Sequence, residues 1–395
     1  MRTEPSELPR LQNVRVLAAL NSIELFGHER GNIEVFKALR DVGAEVAVGV
    51  NAVDDGGAVG EELRDFGFYT FPLILGNQWS WQWLKRDPFF IWWKKAKQVW
   101  LSSWAFEKQI KEFQPTHIHL GNSLVYSYLS LALMRCKIPL VYRMGDAPPT
   151  DSPFNLRIWK LAIKRTSRIV ANSNYIRELI INQRVKANKV NLIYNLAPTS
   201  RSKIIDTKQQ NSEPNCRIVY VGQLAEAKGV MDLIEAFAQI HAAKLPVVLD
   251  LVGGSIYDQS FRNAVKERIA ELGLPAQIRL HGQVPNPEFF FRGNCLHVAP
   301  SRWEEPMANV VLEAKREGIP SIIYPSGGLP EVVRHQMDGY ICREKSIPSL
   351  IEALKWMLES PKRLAQMGVA AREDFEIRFN RERFLRQWAE VYRSV

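Results

Sequence analysis

The chain has 395 residues, 46% of them hydrophobic and 24% charged. This composition excludes a disordered or fibrous protein, and at roughly 150 residues per domain the length favours two or three globular domains over one. The formal net charge is +10 and it is concentrated: between Ser152 and Ile205 eleven Lys and Arg are opposed by Glu178 alone, which leaves the rest of the chain near balance.

A local positive field of this kind suits an anionic partner, whether nucleic acid, anionic lipid or a phosphorylated substrate, and equally a plain solvated face. Met1 to Asn13 is polar and does not read as a signal peptide. No run approaches the ~20 apolar residues needed to span a bilayer. Of the four cysteines, Cys136 and Cys295 lie in apolar segments, where a reduced thiol behaves as a small hydrophobe; Cys216 and Cys342 complete the set, with no C-x-x-C pair and no His at metal-ligand spacing. This usage suits a reducing compartment. The expected location is cytoplasmic, with peripheral attachment at the inner face of the membrane left open.

Strand and helix signals alternate along the chain. Val14–Leu20 reads as a strand, Phe26–Gly31 as a glycine-containing loop, Asn32–Val42 as a helix ended by Gly43, and Glu45–Val50 as a strand. His117–Leu120 and Leu140–Arg143 are two more strands, with the apolar helix Leu124–Arg135 between them. The pattern restarts at Arg217–Val221, followed by Gly222, the helix Val230–Ile240 and the strand Val247–Val252, which closes on Gly253-Gly254. Then come the helix Phe261–Leu272, the strands Ile278–His281 and Leu296–Ala299, the helix Val310–Glu317 and the strand Ser321–Tyr324. Strand, loop, helix, strand is the signature of parallel βαβ units. The fold class is therefore α/β, with two doubly wound parallel-sheet, Rossmann-like domains. Their expected bounds are 1–198 and 216–375, with a polar linker at 199–215 and a C-terminal helix at 376–395 returning to the first domain. Ligands bind beyond the carboxyl ends of such sheets, and two domains facing one another would enclose a cleft.

One segment, 77–106, breaks the pattern. It holds Trp79, Trp81, Trp83, Trp92, Trp93, Trp100 and Trp104, interleaved with Lys85, Arg86, Lys94, Lys95 and Lys97. Aromatic and basic residues together suit an anionic bilayer surface. Packing under the domain, a pocket for a hydrophobic acceptor, and stacking on single-stranded nucleic acid are the competing readings.

The densest chemistry lies in Pro300 to Glu313. Glu305 and Glu313 are separated by seven residues, and Ala308 stands where a helix begins. A helix N-terminus offers free N–H groups to a diphosphate, and carboxylates accept hydrogen bonds from sugar hydroxyls. This pattern resembles the E-x7-E motif of family 4 glycosyltransferases, which adopt the GT-B fold; the W-E-E-P form at Trp303–Pro306 is similar to a common variant. Other pieces match in order. Gly27–Arg30 resembles the family's Gly-x-Glu-Arg loop, and Gly222-Gln223-Leu224 with Lys228-Gly229 resembles G-R-L…K-G. Gly253-Gly254 resembles its glycine loop, Ser326–Glu331 its G-G-x-P-E turn, and Asp338-Gly339 a remnant of D-G-x-x-G. The similarity is dense from 217 to 342 and thinner from 14 to 195.

The resemblance implies a retaining, metal-independent transferase moving a sugar from a nucleotide-diphosphate sugar to a carbohydrate or lipid-linked acceptor, in cell-surface polysaccharide or glycolipid assembly. The donor is a co-substrate, and no separate cofactor or metal is implied. Glu305 would contact donor hydroxyls and Glu313 the ribose. Met307, Ala308 and Asn309 would offer backbone N–H groups, with Gly253 and Gln223 on the donor side. Lys228 would neutralise the leaving phosphate, and Gly27 would let the backbone approach the diphosphate. The implied route is front-face displacement, in which the departing phosphate takes the acceptor proton; no second carboxylate stands as a nucleophile.

Departures from the family pattern are specific. Gln223 replaces the usual Arg, so Arg302 or Arg143 would have to supply the cation. Arg143-Met144-Gly145-Asp146 stands where T-x-H-G is usual, which leaves Asp146 to contact sugar or acceptor. Of H-x-H-N only His119 and Asn122 remain, with Gly121 at the second His. These gaps keep a second reading open, a catalytically degenerate GT-B protein serving as a scaffold or partner subunit; a nucleotide-sugar epimerase and a glycogen-type synthase are same-fold rivals. No nucleic-acid-binding module is recognisable, so nucleic acid is not an expected partner. His28, His119 and His281 read as structural, Glu304 as solvated, and Gly327 and Gly328 as turn or site residues about evenly.

Overall fold

The structure is a computed structural model that describes residues 8–76, 88–150, 152–197, 216–243, 247–254, 259–284, 287–292 and 295–395, without the side chains of 88–91. The chain divides into two units, Met1–Asn195 with Arg381–Val395, and Leu196–Asn380. The expected linker at 199–215 lies outside the described residues.

In the first unit the order is β1 (Arg15–Ala19), α1 (Gly27–Asp41), β2 (Glu45–Asn51), α2 (Gly57–Asp65), β3 (Tyr69–Leu73), α3 (Pro88–Phe113), β4 (His117–Leu120), α4 (Ser123–Arg135), β5 (Leu140–Met144), α5 (Pro153–Arg165), β6 (Arg168–Ala171), α6 (Asn174–Asn182) and β7 (Val190–Leu192). The strands lie in the order β3-β2-β1-β4-β5-β6-β7, every pair parallel. The chain reverses direction of winding beside β1, between β2 and β4, where such sheets bind ligands. β4 and β5 are buried along their whole length, as expected for strands covered by helices on both faces. Helices start where a side chain caps them: Asn122 accepts from the Val125 N–H, Ser152 from Asn155 and Ser173 from Ile176. A last helix, α12 (Arg381–Arg393), packs on α1 and buries Trp388 and Tyr392.

The expected Gly27–Arg30 loop is the first turn of α1, which begins five residues before the expected helix at Asn32. That turn carries no run of core-facing apolar residues, so periodicity does not reach it. The edge strand β3 holds Pro72, tolerable there because an edge N–H need not be paired. Of the Trp-rich segment, Trp79, Trp81, Trp83, Lys85 and Arg86 lie outside the described residues; Trp92 to Trp104 ride on α3.

The second unit runs β8 (Cys216–Val221), α7 (Val230–Ala242), β9 (Val247–Val252), α8 (Gln259–Glu271), β10 (Ile278–Gly282), β11 (Leu296–Ala299), α9 (Asn309–Arg316), β12 (Ser321–Ile323), β13 (Gly339–Ile341), α10 (Ile347–Leu358) and α11 (Pro361–Arg378). Its sheet has the order β10-β9-β8-β11-β12-β13, again parallel. The core joins Leu249 and Leu251 of β9 to Phe237 of α7 and Leu354 of α10.

The reading of Cys295 as a reduced thiol is corrected. Cys295 and Cys216 form a disulfide with Cα atoms 5.8 Å apart. The two residues are 79 positions apart in sequence but start neighbouring strands, β11 and β8, and only the strand order brings them together. Cys136 and Cys342 are free thiols. Among the described residues no helix is long and apolar enough to cross a membrane.

Candidate functional site

In the second unit the site grows from three chain reversals at the carboxyl ends of β8, β9 and β11. After β8, the Gly222 N–H donates to the Val252 carbonyl (2.9 Å) and the Leu224 N–H to the Gly254 carbonyl (3.0 Å). This presses the two glycine loops together. Gly253 has φ +141°, and a Cβ there would collide with the Gly222 carbonyl; only glycine permits the approach. The backbone of Gln223 is fixed by the Tyr220 hydroxyl, which donates to its carbonyl (2.7 Å).

A single 3-10 turn, Glu226–Lys228, then leads through Gly229 (φ +69°) into α7. A Cβ at Gly229 would collide with the Pro300 carbonyl, so this turn lies directly against the segment after β11. The Ala227 carbonyl accepts from the N–H groups of Arg302 and Trp303, both at 2.9 Å. The result brings Lys228 and Glu305, 77 residues apart, into an ion pair. The Ser301 hydroxyl donates to the same Glu305 oxygen, Oε1, at 2.8 Å. The Glu305 carboxylate is mostly buried, with 11% of its side chain exposed, while Lys228 keeps 32%.

Beyond Glu305 the chain passes Met307 and reaches α9, whose N-cap is Ala308. Alanine has no side-chain acceptor, so no side chain of its own closes the helix start. Asn309 and Glu313, both buried, sit in the first and second turns of α9. Pro330 and the turn before it close the site from β12. Gly327 has φ +52°, a Cβ there would collide with the Glu305 carbonyl, and the Gly328 N–H donates to that carbonyl at 2.7 Å. Glu304 is not merely solvated: it accepts from the Gly327 N–H (2.6 Å) and pairs with Lys345, and the hydrogen bond from Lys345 holds its carboxyl below the usual range.

Arg302 has a different environment from the one expected. Its guanidinium makes a bidentate pair with Asp232 (2.7 and 2.8 Å), and the Tyr324 hydroxyl donates to the same carboxylate (3.0 Å). That pairing neutralises the charge expected to face a diphosphate.

The first unit has its own polar cluster at the carboxyl ends of β4 and β5. Arg143 is the penultimate residue of β5 and is 2% exposed. Its Nη2 donates to Asn195 Oδ1 at 2.7 Å, and its Nη1 has no hydrogen-bond partner. Burial lowers its pKa to about 10. Gly27 is the first residue of α1. Two residues on, Glu29 is buried, and desolvation raises its carboxyl above the ordinary value. Asp146 is largely exposed, its Oδ2 3.7 Å from His28 Nδ1.

The three histidines separate here. His119 is fully buried and pairs Nδ1 with the Tyr392 hydroxyl (2.7 Å) and Nε2 with Asn32 (3.3 Å); burial lowers its pKa to about 3, so it is neutral. His281 pairs with Asp250 at 2.7 Å. His28 differs: neither buried ring nitrogen has a hydrogen-bond partner. Sequence pattern carries no sign of this, because the ring's surroundings come from the ends of two other strands. Among the described residues no group of three or more His, Cys, Asp or Glu is placed to hold a metal ion.

Comparison with known proteins agrees with this architecture. Residues 27–201 match the model described as Glycosyltransferase Family 4, and residues 202–374 match that of Glycosyl transferases group 1. An uncharacterised glycosyltransferase of Haemophilus influenzae is 22% identical over 373 residues, 92% of this chain and 95% of that one. A GDP-mannose-dependent alpha-(1-6)-phosphatidylinositol monomannoside mannosyltransferase of Mycobacterium tuberculosis is 26% identical, over 45% of this chain and 46% of its own. Among solved structures, Anabaena HepE, determined with UDP and glucose, superposes with a TM-score of 0.77 at 23% identity, covering 97% of this chain and 100% of that one. The lipopolysaccharide outer core galactosyltransferase WaaB gives 0.69 at 15% identity, covering 96% and 99%. The fold is GT-B, and the chain belongs to family 4 of the glycosyltransferases.

Proposed function

We propose that the chain is a retaining transferase that moves a sugar from a nucleotide-diphosphate donor to a carbohydrate or lipid-linked acceptor in the assembly of cell-surface polysaccharide or glycolipid. The observation that carries this reading is the Lys228–Glu305–Ser301 cluster, which lies just before α9 in the segment that leads to its N-cap Ala308. A cation there is placed to neutralise charge growing on a leaving diphosphate, which is worth a few kcal/mol of transition-state stabilisation. The backbone N–H groups of Met307, Ala308 and Asn309, at and just before the start of α9, suit the phosphate oxygens. Glu305, held through one oxygen by Lys228 and Ser301, orients its other oxygen toward donor hydroxyls, and Glu313 accepts from the ribose. Gly253 and Gln223 keep the backbone close on the donor side, and Gly27 does so in the first unit. The cationic role falls to Lys228, with no metal or further cofactor invoked. Displacement at the front face, with the leaving phosphate accepting the acceptor's proton, retains configuration. Asp146, exposed at the mouth of β5, contacts sugar or acceptor.

HepE was solved with UDP-glucose in one of its structures, which makes UDP-sugars the first donors to try. The acceptor reading rests on α3. Trp93, Trp100 and Trp104 stand on one face of it and are 66%, 58% and 59% exposed, which argues against plain packing for these three. Trp rings with interleaved lysines suit the inner, anionic surface of a membrane, where a lipid-linked acceptor would be met. The scaffold reading keeps one support: Gln223 carries no charge and the Arg302 guanidinium is taken up by Asp232.

The test is nucleoside-diphosphate release from UDP-, GDP- and ADP-sugars, comparing the protein with Glu305→Gln, alongside calorimetric nucleotide binding. Release from one donor, lost in the variant while binding persists, is the expected result. Absence of both release and nucleotide binding would hand the case to the scaffold.

A further inference from the structure

We propose that His28 and Arg143 form a sugar-hydroxyl notch in the first unit, with His28 as a sugar-binding residue seated from α1 into space that glycines leave at the ends of β4 and β5. The proposal rests on the transferase reading above.

The geometry is specific. Measured from the point where a Cβ on Gly145 would stand, His28 Nδ1 lies at 2.9 Å and Arg143 Nη1 at 3.5 Å. Measured likewise from Gly121, His28 Nε2 lies at 3.4 Å. The imidazole is thus wedged between two strand ends that only glycine leaves free; any side chain at 145 would press on it. These same atoms, His28 Nδ1 and Nε2 and Arg143 Nη1, are buried and lack hydrogen-bond partners. A buried polar atom without a partner costs about 1–3 kcal/mol, and here three stand together. Packing alone explains the other two histidines of the same reading, His119 and His281, which have theirs. A neutral ligand hydroxyl answers the set: its oxygen accepts from Arg143 Nη1 and its proton or lone pair meets His28. An anion is disfavoured by Glu29 and Asp146 close by. Asp146 Oδ2, at 3.7 Å from Nδ1, is too far to hydrogen-bond the ring and exposed enough to swing clear of it. The positions 121 and 145 are also the two at which the family pattern leads one to expect histidine, so one ring from α1 occupies the ground of both.

The experiment uses the full chain and the nucleotide-sugar that the donor panel identifies. Turnover, nucleoside-diphosphate affinity and thermal midpoint are measured for His28→Ala, His28→Asn and the double variant His28→Ala with Gly145→His. We expect His28→Ala to lower kcat/KM about 10- to 100-fold, the loss of one hydrogen bond to substrate. Nucleoside-diphosphate affinity and thermal midpoint stay unchanged, Asn retains part of the activity, and the double variant regains about tenfold by returning an imidazole from the opposite wall. Unchanged turnover in His28→Ala overturns the proposal and leaves the transferase reading standing. So does a loss that follows the thermal midpoint and is not recovered by the double variant, since that marks a structural ring. A wild-type protein that neither turns over nor binds any donor overturns both.

Discussion

Gly327 shows how much of the site depends on single atoms. It holds φ +52° with its Cα facing the Glu305 carbonyl, so Gly327→Ala meets two penalties, left-handed strain and a backbone collision. Gly273 has a similar φ, +69°, with nothing near its missing Cβ, so Gly273→Ala meets the strain alone. The strain is worth about 1–2 kcal/mol. We predict that Gly273→Ala loses that amount by denaturant unfolding with turnover intact, whereas Gly327→Ala loses more and also displaces Glu305, cutting turnover sharply. Equal effects from the two would separate Gly327 from the site. Lys228 and Glu305, which the resemblance to the family motifs singles out in sequence, stand together in the structure, and Glu313 lies on the helix that follows. His28 and Arg302 are not legible in sequence, because their states are set by distant partners: the ends of β4 and β5 for one, Asp232 seventy residues away for the other.

Elements tie together through contacts that local pattern does not encode. The central strands are legible because both their faces are buried and they read as continuous apolar runs. β7 and β13, three residues each with a polar residue, a glycine or a tyrosine among them, carry no continuous aliphatic run, and the first turn of α1 is polar. The disulfide between β8 and β11 is of the same kind, a product of strand order. It yields a direct count: alkylation of the denatured protein without reductant should label two thiols, Cys136 and Cys342, and four after reduction. Labelling of all four without reductant would restore the reduced reading.

α9 and α11 are joined by a buried charge cluster. Lys315 on α9 pairs with Asp374 (2.6 Å) on α11 and with Asp338 (3.0 Å). Burial opposes ionisation of Asp374, but hydrogen bonds from Arg378 and Lys315 outweigh it and hold its carboxyl below the ordinary value of 3.8. The unfolded chain therefore binds the proton more readily than the folded one. The stabilisation is complete above about pH 4 and is lost as pH falls through the lower, folded value. The thermal midpoint should thus fall more steeply below pH 4 in the wild type than in Asp374→Asn, which lacks the titration and is weaker already at neutral pH. Parallel pH profiles would exclude Asp374 as a contributor.

At the scale of the molecule, charge and aromatic exposure fall on the same helices. α3 packs on α4, and α4 on α5. Trp93, Lys97, Trp100, Trp104, Lys108 and Lys111 recur at spacings of three and four on α3, all exposed, so they share one stripe. On the next helix α4 exposes Met134 at 75%, and on the one packed against that α5 exposes Arg157, Lys160, Leu161 and Lys164. The inner side of the same helices is core, with Phe106 of α3 and Trp159 of α5 buried. Lys95 is the exception that fits: it points inward to the Tyr128 hydroxyl (3.2 Å), and burial lowers its pKa to about 8. A face this aromatic gains about 1.5–3 kcal/mol for each large side chain it buries, and each lysine near an anionic surface adds about 1 kcal/mol. Both contributions are needed, which separates the membrane reading from a hydrophobic protein partner. Flotation with vesicles of mixed neutral and anionic lipid should capture the protein, weakly for neutral vesicles and less as salt is raised, because the Debye length shortens to about 3 Å at 1 M. Trp93→Ala, Trp100→Ala and Trp104→Ala together should abolish capture while leaving nucleotide binding, proposed above for the other unit, intact. Capture that survives the triple substitution would move the contact elsewhere, and capture indifferent to lipid charge would remove the basic stripe from the account.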